Sequence, residues 1–378
     1  MFGIGAQSKE KLIAVIDIGS ADAALAVVAL GDSMRIIAGE RTSLPIEKRS
    51  QSALASGVLQ QLSAAGEKAL AAVAASPYKG RSVDAVYVIV GAPWARSFSA
   101  RSASNFEAET AVTDGMIAGL AQQALAEQKE IDRARLLEAS VVRVMLNGYP
   151  TGKPAGKHTR VIDVFALLSD CDQEMRQGVQ EIASRWFPGA EISWRSSARA
   201  AISLAQQIAS ADTYLIVDVG DEAVDLLVVR KGILSEREIV EDGVRVIAEL
   251  FAPGAPPEET LALLQMLEGD QCETDACEKL KEAVGKAEPE LVRRFGEAFG
   301  KLALSRRLPN HLFLIAPRHI SGWFETFLSR IDFTQFTSTA QPFSIDALPA
   351  APEPDPLALE DSGLRIACAL VNTESRDS

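Results

Sequence analysis

One pattern occurs twice in this 378-residue chain, about 200 residues apart, and it constrains the fold more than any other feature. Each copy is an apolar segment that ends in Asp-X-Gly and is followed by a second apolar segment; the two turns contain Asp17 and Asp218. Nearly continuous apolar runs are typical of buried strands, and glycine permits a tight turn between them. One Asp-X-Gly is a common sequence, but two copies flanked by strands predict a duplicated, two-lobed α/β fold.

A pair of such turns has the chemistry needed to bind the phosphates of a nucleotide. Backbone N–H groups beside a glycine can contact an anion closely, and a carboxylate can hold a metal ion through water. We therefore expect Gly19, Ser20 and Gly220 to contact phosphate together with Asp17 and Asp218. The two aspartates are also the candidate ligands of Mg²⁺, through water. The sequence predicts no catalytic residue.

Composition excludes several classes of function. The net charge is −13, which argues against non-specific binding of nucleic acid. The three histidines are scattered and the four cysteines form no CxxC pair, so we expect no His-rich metal site and four free thiols in a reducing cytoplasm. No apolar run reaches the roughly 18–20 residues of a membrane helix. We expect a cytoplasmic protein that reaches a membrane only through a partner.

Changes of composition along the chain predict two lobes and an insert. Residues 94–188 alternate polar and apolar residues around a Gly/Pro-rich loop, which predicts a small inserted α+β subdomain. We assign residues 1–93 to the first lobe and 211–356 to the second. Residues 189–210 and 357–378 are expected to complete the first lobe.

The chain resembles two families of actin-like proteins, PilM and FtsA, over nearly its whole length. The segments Met1–Gly3, Lys9–Lys11 and Ala14–Ser20 are similar to the start of PilM. The segments Val217–Gly220, Val229–Gly232 and Arg237–Ile239 are also similar to PilM. In the insert, the loop segments Asn147–Tyr149 and Pro154–Gly156 are more similar to FtsA. These motifs are specific for the superfamily and not for one member.

The resemblance implies an actin-like (ribonuclease H-like) fold in which the insert is an SHS2 domain. It implies a cytoplasmic scaffold at the inner face of the membrane that binds the cytoplasmic tail of an inner-membrane protein, in the groove between the first lobe and the insert. Type IV pilus assembly is the expected process, and self-association is an open expectation. The alternative is an FtsA-like division protein that binds ATP and forms filaments. FtsA ends in an amphipathic membrane helix, whereas Thr373–Ser378 has no apolar face, which favours the PilM resemblance.

Several departures from the family pattern concern the nucleotide. The segment Asp218–Asp225 carries four acidic residues and no base, so it would repel a polyphosphate. Ala24 stands where PilM often has a lysine, and Pro317 lies where a glycine pair is expected to line the adenosine site; proline lacks a backbone donor. We expect ATP and Mg²⁺ to bind weakly or not at all, without efficient ATPase activity. A sugar-kinase-like enzyme is disfavoured, since no further catalytic-base motif is evident.

Overall fold

The structure is a computed structural model that describes residues 10–269, 271–272, 275–330, 332–339, 341–348 and 362–377. Its strands are β1 Lys11–Ile18, β2 Asp22–Leu30, β3 Met34–Ser43, β4 Ala85–Val90, β5 Ala95–Ala111, β6 Leu136–Leu146, β7 Tyr149–Pro150, β8 His158–Cys171, β9 Glu191–Ser196, β10 Tyr214–Val219, β11 Val224–Arg230, β12 Ile233–Val240, β13 His311–Ile315 and β14 Ser344–Ala347. Its α-helices are α1 Gln51–Ala74, α2 Asp114–Glu127, α3 Gln173–Trp186, α4 Ser197–Ile208, α5 Val244–Phe251, α6 Pro257–Glu268, α7 Asp275–Leu302, α8 Arg318–Arg330 and α9 Ser362–Asp377.

Two five-stranded sheets repeat one topology. The first has the order β3-β2-β1-β4-β9 and the second has the order β12-β11-β10-β13-β14. In each sheet three consecutive strands form an antiparallel meander, and the first of them then pairs in parallel with a later strand, β4 or β13. Asp17 and Asp218 occupy the same position near the end of the first strand in the two sheets. The predicted two-lobed α/β fold is therefore confirmed.

Helices α4 and α9 lie between the two sheets. Their apolar side chains, including Ala205 and Leu370, share one core with Val15 of the first sheet and Ile216 of the second. The opposite face of each sheet is covered by its own helices, with a core around Leu62 in the first lobe and a separate core of aromatic side chains in the second. Because a sheet buried on both faces needs apolar residues throughout, β1 and β10 are nearly continuous apolar runs.

The insert has a sheet of its own, with the order β5-β8-β6-β7. Helix α2 packs on it around Leu120 and Val164. Trp94, which precedes β5, is 2% exposed, and its Nε1 donates a hydrogen bond of 2.8 Å to the carbonyl oxygen of Gly19. Since Gly19 lies in the first Asp-X-Gly turn, the insert begins in direct contact with that turn.

Local sequence determines where several helices begin. Ser50, Thr113, Asp172 and Ser196 each accept a hydrogen bond at the side-chain oxygen from a backbone N–H three residues later. Such N-caps satisfy one of the amide groups that lack a partner at the start of a helix. The cap at Ser196 is important for the site, because it ends β9 and begins the interlobe helix α4.

The cysteines differ partly from expectation. Cys272 and Cys277 form a disulfide bond at a Cα–Cα distance of 6.0 Å, whereas the sequence predicted four free thiols. Cys272 precedes α7 and Cys277 lies in its first turn, at a Cα distance that suits a disulfide bond. Cys171 and Cys368 are both buried. In the part of the chain that the structure describes, no helix has both the length and the apolar character needed to span a bilayer.

Candidate functional site: the cleft between the two Asp-X-Gly turns

A cleft of about 340 Å³ lies between the lobes. It is lined by the two Asp-X-Gly turns, the interlobe helices α4 and α9, and the start of α8. The structure brings together in this cleft all five residues that the sequence predicted as phosphate or metal contacts: Asp17, Gly19, Ser20, Asp218 and Gly220. It also places in the cleft two residues that sequence reasoning missed, Asp22 and Arg41.

The carboxylate of Asp22 covers the first turn. The backbone N–H of Gly19 donates to the carbonyl oxygen of Asp22 at 3.0 Å, which closes the turn. A Cβ atom at position 19 would lie 2.2 Å from Oδ1 of Asp22, so any larger residue would have to move that carboxylate. The face of Gly19 that a phosphate was expected to approach is therefore in contact with an anion of the chain itself.

Arg41 supplies a cation to the same turn. Its guanidinium forms ion pairs with both Asp17 and Asp22, and about a fifth of its side chain is exposed. The three strands explain this contact, because Asp17 lies opposite Ala24 and Ala24 lies opposite Arg41. Residues opposite each other in a sheet project on the same face, and the small Ala24 leaves room for the guanidinium to reach Asp17. The cation that the sequence lacks at position 24 thus comes from the next strand.

The second turn carries more negative charge than the first. Asp218 lies opposite Asp225 in the β10–β11 pair. Arg237 donates to both carboxylate oxygens of Asp225, at 2.7 and 2.8 Å. Burial, reinforced by the negative charges of Asp225 and Asp17, raises the pKa of Asp218 to about 7. Asp218 makes no ion pair among the described residues, so the carboxyl at the predicted phosphate position has no cation bonded to it.

Asp221 has a similar environment. Burial, together with the charges of Asp22 and Glu222, raises the pKa of Asp221 to about 7. Glu222 itself is paired with Arg245 at 3.0 Å. The second turn itself contains no basic residue. Its acidic residues Asp225 and Glu222 pair with arginines of other elements, Arg237 of β12 and Arg245 of α5.

The two turns touch each other across the cleft. The backbone N–H of Asp221 donates to Oγ of Ser20 at 2.8 Å. A Cβ atom on Gly220 would lie 3.0 Å from the same Oγ, so the contact requires a glycine or a small shift. The hydroxyl of Ser20, an expected phosphate contact, accepts here from a backbone amide of the second turn. This hydrogen bond joins the two lobes directly.

The far wall of the cleft is apolar. Ala201 of α4, Ile315 of β13 and Ala367 of α9 line it. The carbonyl oxygen of Pro317 accepts the N–H of Ile320 at the start of α8, so this turn of chain is used to begin the helix. Burial lowers the pKa of His319, whose Nε2 is buried without a hydrogen-bond partner. The glycine pair expected to line the adenosine site is replaced here by Pro317 and the first turn of α8.

These side chains do not fit a magnesium–nucleotide complex. Asp17, Asp22, Asp218 and Asp221 all line the cleft; Arg41 pairs with the first two, and Arg318 lines the cleft as well. Within the described residues, no group of three or more His, Cys, Asp and Glu side chains is arranged to hold a metal ion. A triphosphate would have to displace Asp22 from Gly19 and would add negative charge beside three further carboxylates.

Comparison with known proteins bears on the fold. No protein-family model matches the chain, and no curated protein matches it. A solved PilM-PilN type IV pilus biogenesis complex is similar, with a TM-score of 0.57 and 13% sequence identity, over 94% of this chain and 96% of that chain. The fold is actin-like. This confirms the fold that the resemblance implied.

Two more distant structures are also similar to this actin-like chain. The ethanolamine utilization protein EutJ from Carboxydothermus hydrogenoformans has a TM-score of 0.43 and 11% identity, over 89% of this chain and 84% of that chain. A Bacteroides thetaiotaomicron protein with an actin-like ATPase fold and unknown function has a TM-score of 0.38 and 11% identity, over 91% of this chain and 94% of that chain.

The raised pKa values predict how stability depends on pH. Asp218 and Asp221 keep their protons to about pH 7 in the folded chain, whereas the ordinary pKa of an aspartate is 3.8. The folded state therefore binds more protons than the unfolded state between about pH 4 and pH 7, and stability falls as the pH rises through that window. We expect these two groups to lower the free energy of unfolding by about 2–4 kcal/mol between pH 4.5 and pH 8.

Urea unfolding of Asp221→Asn tests this dependence. The variant should be more stable than wild type by about 1–2 kcal/mol at pH 8 and no more stable at pH 4.5, because it removes a charge that is costly only at high pH. Asp32→Asn, in the exposed β2–β3 turn, is the matched control and should stay within about 0.5 kcal/mol of wild type. Equal effects of Asp221→Asn at both pH values would contradict the prediction.

Proposed function

We propose that this chain is an actin-like assembly scaffold that binds the cytoplasmic segment of an inner-membrane protein, in type IV pilus assembly, with weak or degenerate nucleotide binding. The observation that carries the proposal is the interlobe cleft, where Asp22, Arg41 and Ser20 make the contacts expected of a nucleotide and its metal ion. A protein whose lobes are joined by its own side chains suits a scaffold better than an ATP-driven machine. The similarity to a PilM-PilN complex supports the same process.

The insert is the element that we propose for docking, and its two long edges offer different surfaces. Beside the first lobe, Glu138 of β6 accepts hydrogen bonds from the N–H and Oγ of Ser196 at 2.9 and 2.5 Å and from Oγ of Ser169 at 3.2 Å. Burial raises the pKa of Glu138. The resemblance implies that the partner binds along this boundary between the insert and the first lobe. Hydrogen bonds between Glu138 and Ser196 join the two sides of the boundary.

On the other edge, an open groove of about 540 Å³ separates the insert from the second lobe. The edge strands β5 and β12 form its sides, and Ser99, Ser235 and Glu236 are among its lining residues. Arg237 crosses one end of the groove to reach the carbonyl oxygen of Ala95 at 3.3 Å. Edge strands present backbone groups that an extended peptide can pair with, so this groove is a second place for the partner segment.

Genetic complementation in the source organism tests the function and the docking edge together. Deleting the gene should abolish surface pili and twitching motility, and wild type should restore both. Val141→Arg places a bulky charge on the exposed part of β6, and Ser235→Arg places one in the open groove. Ser329→Arg, on the exposed face of α8, is the control. All three sites are at least partly exposed, so the variants should fold.

Loss of pili with Val141→Arg assigns docking to the edge beside the first lobe, and loss with Ser235→Arg assigns it to the groove beside the second lobe. Full complementation by both variants would contradict docking on the insert. Filamentous, undivided cells with normal pili after deletion would contradict the pilus assignment and favour the FtsA-like alternative.

A further inference from the structure

We propose that Arg41 is a permanent internal cation that excludes divalent metal ions from the interlobe cleft. Its guanidinium joins Asp17 and Asp22, the two carboxylates of the first turn. The inference rests on the same cleft geometry as the proposed function and deepens it, and it concerns a residue that the strand order of the first lobe places beside Asp17.

The contact is built into the sheet. Asp17, Ala24 and Arg41 form one row across β1, β2 and β3. A larger residue at position 24 would stand between the other two side chains, whereas alanine leaves the guanidinium a direct path to Asp17. An arginine can donate to two carboxylates at once, because its N–H groups form a rigid fork. Position 41 therefore holds one positive charge at the point where Mg²⁺ was expected.

Removing that charge changes what the cleft can bind. Without Arg41, the carboxylates of Asp17, Asp22, Asp218 and Asp221 would face one cavity with one less positive charge among them. Carboxylate oxygens are the preferred ligands of Mg²⁺ and Mn²⁺. A variant with a neutral residue at position 41 should gain affinity for a divalent ion that the wild-type chain does not hold. In the wild-type chain Arg41 pairs with both Asp17 and Asp22, so neither carboxylate is available to a metal ion.

The test is a titration of the full chain with Mn²⁺, in which electron paramagnetic resonance measures the concentration of the free ion. Wild type should bind Mn²⁺ with a dissociation constant weaker than about 1 mM, a free energy of only about −4 kcal/mol. Arg41→Gln should bind one ion per chain at least ten-fold more tightly, and Arg41→Gln combined with Asp17→Asn should lose that gain. Arg101→Gln is the matched control, since Arg101 pairs with Asp163 in the insert, away from the cleft.

Two outcomes would overturn the proposal. One is micromolar binding of Mn²⁺ by wild type, which can be measured whether or not any variant folds. The other is a folded Arg41→Gln chain, judged by its melting curve, that binds no more Mn²⁺ than Arg101→Gln does. Arg41→Lys keeps the charge and should stay within three-fold of wild type. Failure here leaves the pilus phenotype unaffected, so it can be told apart from failure of the proposed scaffold function.

Discussion

Replacing Arg237 with alanine is expected to destabilise the chain by about 3–5 kcal/mol, the cost of removing one partner from a buried ion pair. The side chain of Asp225 is 4% exposed, and Arg237 binds both of its oxygens. Without the guanidinium, a buried carboxylate would lie opposite Asp218 with no cation bonded to it. The variant would also lose the hydrogen bond to Ala95 that joins the second lobe to the insert.

Urea unfolding at pH 8 measures the free energy of unfolding of this variant. The double variant Arg237→Ala/Asp225→Asn should recover at least half of the loss, because it removes the charge that was left without a partner. Arg293→Ala is the control: that arginine pairs with Glu290 and Glu297 on the exposed face of α7 and should cost at most about 1 kcal/mol. If Arg237→Ala costs no more than the control, the ion pair does not stabilise the second turn.

The sequence was sufficient to predict the architecture. The two apolar strands that end in Asp-X-Gly determine where each sheet begins, and both Asp17 and Asp218 lie where the pattern placed them. The reason is that strand burial and glycine turns are local properties, which a run of apolar residues and one glycine reveal directly. The meeting of the two turns in one cleft followed from the duplication.

The sequence was not sufficient to find Arg41. The pairing of β2 with β3 shifts by one residue between Val27 and Val28. Without that irregularity, the register that starts at Leu30 and Met34 would place Glu40 opposite Ala24. A shift of one residue moves every following side chain to the other face of the sheet. An acidic residue would then have stood in the row with Asp17, and no pattern in the sequence marks the bulge.

Two other features of the cleft depend on tertiary structure. The carboxylate of Asp22 lies over Gly19, and Ser20 accepts the amide of Asp221, about 200 residues away in the sequence. Both contacts depend on a side-chain conformation and on the approach of the two lobes. The acidic residues of the second turn were visible in the sequence, but their arginine partners Arg237 and Arg245 come from outside that turn.

The second large effect concerns ATP. A bound triphosphate would have to separate Asp22 from Gly19 and break the hydrogen bond between Ser20 and Asp221. It would also add negative charge beside Asp218 and Asp221, whose raised pKa values reflect burial and the carboxylates around them. We therefore expect Mg-ATP to bind at least a hundred-fold more weakly than the micromolar affinity of a working nucleotide site, a difference of about 2.7 kcal/mol.

Calorimetric titration of the wild-type chain with Mg-ATP tests most directly whether the interlobe cleft is occupied by its own side chains. Asp17→Ala tests the site and Asp32→Ala, in an exposed turn, is the control with the same change of charge. We predict a dissociation constant weaker than about 0.1 mM for all three proteins, with no difference between them. Micromolar binding by wild type and Asp32→Ala that Asp17→Ala abolishes would contradict the account.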